Sequence, residues 1–465
     1  MNAQEAMGSA DAAWLRMDRP TNLMVINSVF WFDEPVDWAR FAEVLQTRLV
    51  EPFPRFSQRV AGPRLGVGGP HWEDDPAFDL DLHLHRVALP APGDRAALQA
   101  YVADRMVTPL DPTKPLWHVD MIDGYGKGCA VLARLHHCIA DGISLARVLL
   151  SLTDERPDAG LEPPQPPAGD RRRGGPVGAV LRPAGAALSL TRGAAGAILH
   201  EGLEVLARPK RTIDLAAMAR DDAQALAKLV LAGADAKTAL KGELGVAQRV
   251  AWTAPIPLAE IRDLAHAHGA TINDVLVAAM TGALRRYLES RDSLVEEIHA
   301  VVPFNLRPLD EPLPRRLGNR FGLVFLSLPV GVETPGGRLA AVKRGMAEIK
   351  SSPEGPIAYA ILSALGTTPS LVESALVDLF SSKGTAVMTN VPGPRQTVYL
   401  AGSPVRGVLV WAPCSGNMSM SVSILSYHGE VTVGLMTDAG LVPDPDTILD
   451  AFDSELDSLK ALPPD

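Results

Sequence analysis

The stretch His136-His137-Cys138-Ile139-Ala140-Asp141-Gly142 constrains this chain more than any other. It follows a β-like run, Cys129 to Leu135, and precedes an apolar helical pattern through Ile143, Leu145, Ala146, Val148 and Leu149. The sequence therefore predicts a strand, a tight connection and a helix, with the histidines at the strand's end. Successive strand side chains point to opposite faces, so His136 and His137 diverge if the strand persists. A metal needs its imidazoles to converge on one centre, and this geometry works against one. A single imidazole at a strand end suits proton transfer, because its pKa lies near neutrality. Asp141 falls where the chain turns, and Gly142 leaves backbone room for a substrate. With 11 His, 54 acids and 40 Gly in 465 residues, a His-His-x-x-x-acid-Gly pattern arises by chance about 0.003 times, which makes it a specific signal. The plain alternative is a pair of ordinary histidines beside an Asp141 helix cap.

A chain of 465 residues exceeds one ordinary core, so two domains are expected. We place them at 1–153 and 213–465, joined by a Pro/Gly-rich basic linker and crossover helix over 154–212. An apolar fraction of 47% with 21% charged residues describes a folded protein rather than a disordered one. The net charge of −10 argues against a nucleic-acid binder, which needs a basic face. Cys129, Cys138 and Cys414 have no paired spacing, consistent with reduced thiols and a cytoplasmic setting. The N-terminus, Met1 to Glu5, lacks the basic and apolar regions of a secretion signal. No uncharged apolar run reaches the length of about 18 residues that marks a membrane span. Within 165–211, eight cations face three anions. That basic stretch fits an interfacial helix or a crossover helix packed on the protein, and composition does not separate the two.

Along the first half, the patterns predict a helix over 11–17, a strand over 22–31, a helix over 38–50, strands over 54–60, 71–74 and 78–89, a helix over 95–109 and a strand over 117–122. In the 78–89 strand, His83 and His85 would share a face. A third metal ligand is not apparent, and the two read as a structural pair. The second half predicts a helix over 213–240, a strand over 251–257, a helix over 258–268 closed by Gly269, and a helix over 275–290 opened by Thr271 to Asp274. Strands follow over 298–303, 323–329, 385–390, 397–400, 407–411, 418–425 and 430–436, with a final helix over 445–459.

The His136 to Gly142 signature resembles the active-site motif of the bacterial wax ester synthase/acyl-CoA:diacylglycerol acyltransferases. They belong to the CoA-dependent acyltransferases that include chloramphenicol acetyltransferase. Pro115-Leu116-Trp117, Asn273-Asp274-Val275, Gly318-Asn319, Asn390-Val391-Pro392-Gly393-Pro394 and Ser426-Tyr427-His428-Gly429 resemble further family motifs. Phe304-Asn305 ahead of Arg307, and Thr389 before Asn390, depart from the family pattern and bear on pocket shape.

The resemblance implies an α/β fold of two chloramphenicol-acetyltransferase-like domains, each a mixed sheet with helices, with an active-site tunnel at their interface. Acyl-CoA would reach His137 by one mouth and the alcohol by the other. The implied activity is O-acyl transfer from acyl-CoA to diacylglycerol, a long-chain alcohol, or both. His137 would act as general base, His136 would position it, and Gly142 would give backbone clearance. Asn273 would donate to the oxyanion or else cap its helix. Asp141 would shape the loop through an ion pair with Arg307, while Asp274, Asn390, Pro392 and Gly393 would lend structural support. Acyl-CoA is a substrate here, so neither cofactor nor metal is expected. Peripheral contact with a membrane or lipid droplet is expected, and the oligomeric state is left open. Two other readings remain: an acyltransferase for a polyketide or other secondary alcohol, and a catalytically silent lipid-binding or lipid-droplet protein. No Gly-x-Ser-x-Gly elbow is present, and Cys138 reads as filler, since a nucleophilic thiol needs a lowered pKa and an oriented base.

Overall fold

The strand Gly128–His136 is buried along its whole length, as a run of Cys, Ala, Val and Leu without polar alternation should be. It sits at the centre of a five-stranded sheet, ordered Gly407–Trp411, Val25–Phe32, Gly128–His136, Trp117–Tyr125 and Leu84–Ala88. The first three pairings are antiparallel and the last is parallel. The edge strand Gly407–Trp411 comes from the far end of the chain, in register from Gly407 opposite Trp31 to Trp411 opposite Asn27. A strand of the second half thus completes the sheet of the first. This computed structural model describes residues 5–62, 69–161, 233–305, 313–351, 358 and 377–463.

The second sheet runs Ile256–Pro257, Glu430–Asp438, Met420–Tyr427, Ala386–Pro392, Ile298–Asn305 and Phe321–Leu328, with Gln248–Trp252 also paired to Glu430–Asp438. It too is mixed, because Ala386–Pro392 pairs in parallel with both of its neighbours. The helices Ile272–Ser290, Pro335–Ser351 and Pro445–Lys460 pack together beside it. Buried Glu455 pins them by accepting hydrogen bonds from Arg286 Nε at 2.6 Å and from Arg338, so that its own buried charge is not left alone. Tryptophans join the sheets: Trp252 of the second stacks on Trp31 of the first (6.1 Å, 13°) and meets Trp411 (6.1 Å, 51°). The α/β expectation of two mixed-sheet halves holds.

Several local expectations change. Pro54 starts a 3-10 turn, Pro54–Phe56, before the strand Gln58–Ala61, because its fixed φ suits a first helical position. The helix over 38–50 is α only through Trp38–Leu45 and continues as a π turn, Gln46–Val50. The single strand expected over 78–89 breaks at a 3-10 turn, Leu80–Leu82, which Asp79 caps. His83 ends that turn, buried against Trp117 (4.6 Å, 13°), while His85 stands exposed in the strand Leu84–Ala88. The two therefore do not share a face. Residues 233–240 form no helix, and 213–232 lie outside the described residues, as does the basic stretch 165–211. Among the described residues, no helix is long and apolar enough to cross a membrane.

Candidate functional site

The central strand delivers the two histidines to different environments. Val25 pairs with His136 at the strand's end, and the His137 N–H donates to the Met24 carbonyl (2.7 Å). His136 turns toward Asp18: the Cys138 N–H donates to its Nδ1 (3.1 Å), so its proton sits on Nε2, 3.1 Å from Asp18 Oδ2. His137 turns the other way, toward a segment from the second half of the chain. Its Nδ1 lies 2.9 Å from Asn319 Oδ1. Asn319 Nδ2 donates to the His137 carbonyl (2.7 Å) and to Asp11 Oδ1 (2.8 Å), and the Asn319 N–H donates to the same Asp11 oxygen (2.8 Å).

Aromatic rings enclose the imidazole. Trp14, on the helix Ser9–Arg16, stacks on it at 4.1 Å and 18°, and Phe321 lies 5.3 Å away. His137 is only 4% exposed. Burial pushes its pKa down to about 4, while the Asp141 carboxylate, the ring's bond to its own backbone carbonyl and the Asn319 oxygen pull the other way. The ring is therefore neutral at pH 7. Burial also pushes Asp11 up to about 6, against the Asn319 hydrogen bonds that favour its charge. A ring with its proton on Nδ1 can accept another at Nε2, and the nearby acids would stabilise the cation so formed.

Asp141 is the N-cap of the helix Gly142–Ser151: its Oδ1 accepts from the Ser144 N–H (2.8 Å). Its Oδ2 accepts from the Arg320 N–H (3.1 Å). It is buried and therefore ties the loop's helix to the segment carrying Asn319. The expected partner, Arg307, lies outside the described residues. A Cβ placed on Gly142 would meet only Ile26 Cδ1, at 4.0 Å, so among the described residues no crowding demands glycine there.

Asn273 is not the helix cap. Thr271 caps Ile272–Ser290 in a capping box with Asp274, because Thr271 takes the non-helical backbone and leaves Asn273 inside the first turn. Asn273 Oδ1 accepts from Asn390 Nδ2 (2.6 Å), and its own Nδ2 has Met346 Sδ at 3.9 Å. These bonds bring Asn273 and Asn390 together without joining them to the His137 network. Pro392 ends the strand Ala386–Pro392. Gly393 follows where a Cβ would come 2.5 Å from the Ser426 carbonyl, a close approach that only glycine permits.

Sequence reasoning missed Asp11, Trp14, Asp18 and Phe321, and gave Asn319 no role. One signal was present, an acid inside the apolar run Ala10-Asp11-Ala12-Ala13-Trp14. Elsewhere, His85, His118 and Asp120 present ligand-type atoms within 4.8 Å of one another. Arg105 Nε donates to Asp120 Oδ2 (3.0 Å) and its Nη2 lies 3.4 Å from His118 Nδ1, so a guanidinium already supplies positive charge there.

The chain matches the wax ester synthase/diacylglycerol acyltransferase catalytic domain over residues 7–276 and the corresponding C-terminal domain over 317–460. The chain belongs to this family. The His137 network draws on both matched ranges, since Asp11 and His137 fall in the first and Asn319 in the second. A Mycobacterium tuberculosis protein described as a probable diacylglycerol O-acyltransferase is 30% identical over 450 residues, 93% of this chain and 91% of that one. Among solved structures, the wax ester synthase/diacylglycerol acyltransferase from Marinobacter aquaeolei superposes with a TM-score of 0.70 at 24% identity, covering 98% of each chain. The first condensation domain of the calcium-dependent antibiotic synthetase gives 0.60 at 16% identity, over 100% of this chain and 98% of that one. Both likenesses speak to the fold.

Proposed function

We propose that this protein is an acyl-CoA-dependent O-acyltransferase that esterifies diacylglycerol, a long-chain alcohol, or both, with His137 as general base. The observation that carries the reading is a buried, neutral imidazole whose Nδ1 faces an amide oxygen, which leaves the lone pair on Nε2. The alcohol gives its proton to Nε2 as its oxygen attacks the thioester carbonyl. The tetrahedral intermediate then expels the CoA sulfur, which takes that proton from the ring. A base so placed contributes about 10²–10⁴-fold. Asp141 and Asp11 stabilise the transient imidazolium. Asn273 is the oxyanion donor in this scheme: Asn390 holds its oxygen, and its Nδ2 has only a thioether for a neighbour among the described residues. His136, fixed by Asp18, holds the end of the strand.

The two substrates approach along the seam between the sheets, acyl-CoA from one side and alcohol from the other. The basic stretch 165–211 supports peripheral contact with an anionic lipid surface. Diacylglycerol as acceptor is supported by the name of the mycobacterial relative. The test is incubation of purified protein with palmitoyl-CoA and a panel of diacylglycerol, hexadecanol and a secondary alcohol, with the ester identified by mass. Thiol release that depends on a long-chain acceptor is expected. Esterification of the secondary alcohol alone would move the substrate class, and no thioester consumption with any acceptor would sink the reading.

A further inference from the structure

We propose that Asn319, anchored by Asp11, is the positioning residue that fixes which nitrogen of His137 carries the proton. The base is then completed only when the segment 317–321 of the second half lies across the first. This inference rests on His137 being the base. Asn319 Nδ2 faces the His137 carbonyl and Asp11 Oδ1, at 2.7 and 2.8 Å. A carbonyl can only accept, so the NH₂ group is turned that way and Oδ1 faces the ring. An amide oxygen also only accepts, so His137 Nδ1, at 2.9 Å, has to donate. The Nδ1–H tautomer follows, and with it a basic Nε2.

The amide cannot turn over without breaking these bonds, because its NH₂ group is taken by both the His137 carbonyl and Asp11 Oδ1. Asp11 Oδ1 accepts both the side-chain and the backbone N–H of Asn319, and Asp11 is only 7% exposed. One residue on, the Arg320 N–H binds Asp141 Oδ2. Consecutive amides of a segment from the second half are thus pinned to two buried acids of the first. Two glycines make room for the arrangement. A Cβ on Gly8 would lie 2.9 Å from Asp11 Oδ2, and one on Gly318 would lie 3.3 Å from it. The dipeptide Gly318-Asn319 so acquires a physical reading: the glycine clears the carboxylate and the asparagine binds it.

A residue that merely braces the fold would not govern the ring's proton, so the test reads the proton. In ¹⁵N-histidine-labelled protein, His137 resonances are assigned by their loss in His137→Gln. The wild-type ring should be the Nδ1–H tautomer, and finding Nε2–H there overturns the inference without any variant. The ring also bonds its own backbone carbonyl, so Asn319→Ala should weaken that preference without abolishing it and lower kcat about 10²–10³-fold, with the KM for palmitoyl-CoA within threefold, since holding the wrong tautomer costs a general base up to about 10⁴-fold. Asn319→Asp keeps an acceptor but adds a negative charge at Nδ1, and should move the acid limb of kcat/KM to higher pH by a unit or more. If Asn319→Ala leaves the preference as strong as in the wild type, or Asn319→Asp leaves the acid limb in place, Asn319 is only a brace. An active His137→Ala would instead remove the base itself, so the two failures are distinguishable.

Discussion

Two histidine clusters in this molecule share their ingredients and differ in what they can do. His137 and His118 each lie near a buried carboxylate, and burial pushes each down to about 4. At His118 the charge is already spent. Asp120 is bonded to Arg105, the same guanidinium lies against the imidazole, and His85 and Arg134 add further opposition to a proton on the ring. At His137 the acids are held by N–H groups alone: Asp11 by Asn319, Asp141 by Ser144 and Arg320. Among the described residues neither acid forms an ion pair; Arg55 acts on Asp11 only from further off, and the Asp141 charge favours a protonated His137 ring. A depressed pKa therefore does not mark a base. The charge left uncommitted around the ring is what supports the proposal that His137 is one.

The largest effect should come from testing the two rings against each other. His137→Ala should lower kcat by at least about 10³-fold, whereas His118→Ala should change kcat/KM less than threefold. Equal losses in assays of thiol release would break the comparison. Asp141 comes next, because it holds two things at once. Asp141→Ala removes a helix cap, worth about 1 kcal/mol, and leaves the half-buried Arg320 N–H without that acceptor, worth about 1 kcal/mol more. Activity and melting temperature should fall together. A variant that melts like wild type and does no chemistry would instead give Asp141 a chemical role.

Stability against pH sharpens the comparison further. Between an unfolded pKa of 6.5 and a folded value of about 4, the unfolded state binds His137's proton more tightly. Stability is thus lost as pH falls through that window, by roughly 3 kcal/mol at most. His137→Gln should flatten the acid side of the denaturation profile. His118→Gln should flatten it less, because that ring is partly solvated. The two histidines would then be alike in stability and unlike in catalysis.

Much of this was legible in the residues. The strand Gly128–His136 announces itself as an apolar run interrupted only by Arg134 before the histidines, and the divergence of His136 from His137 follows from the pleat. Gly269 places one helix end to within a residue, and Thr271 to Asp274 mark the start of the next helix, which begins at Ile272, three residues ahead of the apolar pattern. The partners of His137 were not legible. Asn319 is 182 residues away and Asp11 a further 126 in the other direction, and no local periodicity relates positions so distant. The break at Leu80–Leu82 was hidden for the opposite reason: an Asp79 cap overrode an alternation that reads as strand. Gly407–Trp411 was found as a strand, but its pairing with the other half's sheet depends on the fold alone.

The smallest effect belongs to Asp11, and it runs opposite to that of His137. Burial raises this acid from 3.8 to about 6, so between those values the folded state binds the proton more tightly. Its stabilising contribution is present below about pH 4 and is lost as pH rises through 6. Asp11→Asn removes the buried charge and keeps an oxygen for the two Asn319 N–H groups. It should raise stability above pH 6 by roughly 1–3 kcal/mol and leave it unchanged near pH 4. Activity should fall only about threefold to tenfold, as one of the two charges that favour the imidazolium is gone and the tautomer is kept. Asp11→Ala, with no acceptor left, should behave like Asn319→Ala. If the asparagine variant is the less stable one at pH 8, Asp11 is held by something stronger than two N–H groups, and the uncommitted charge that separates the His137 cluster from the His118 cluster is not there.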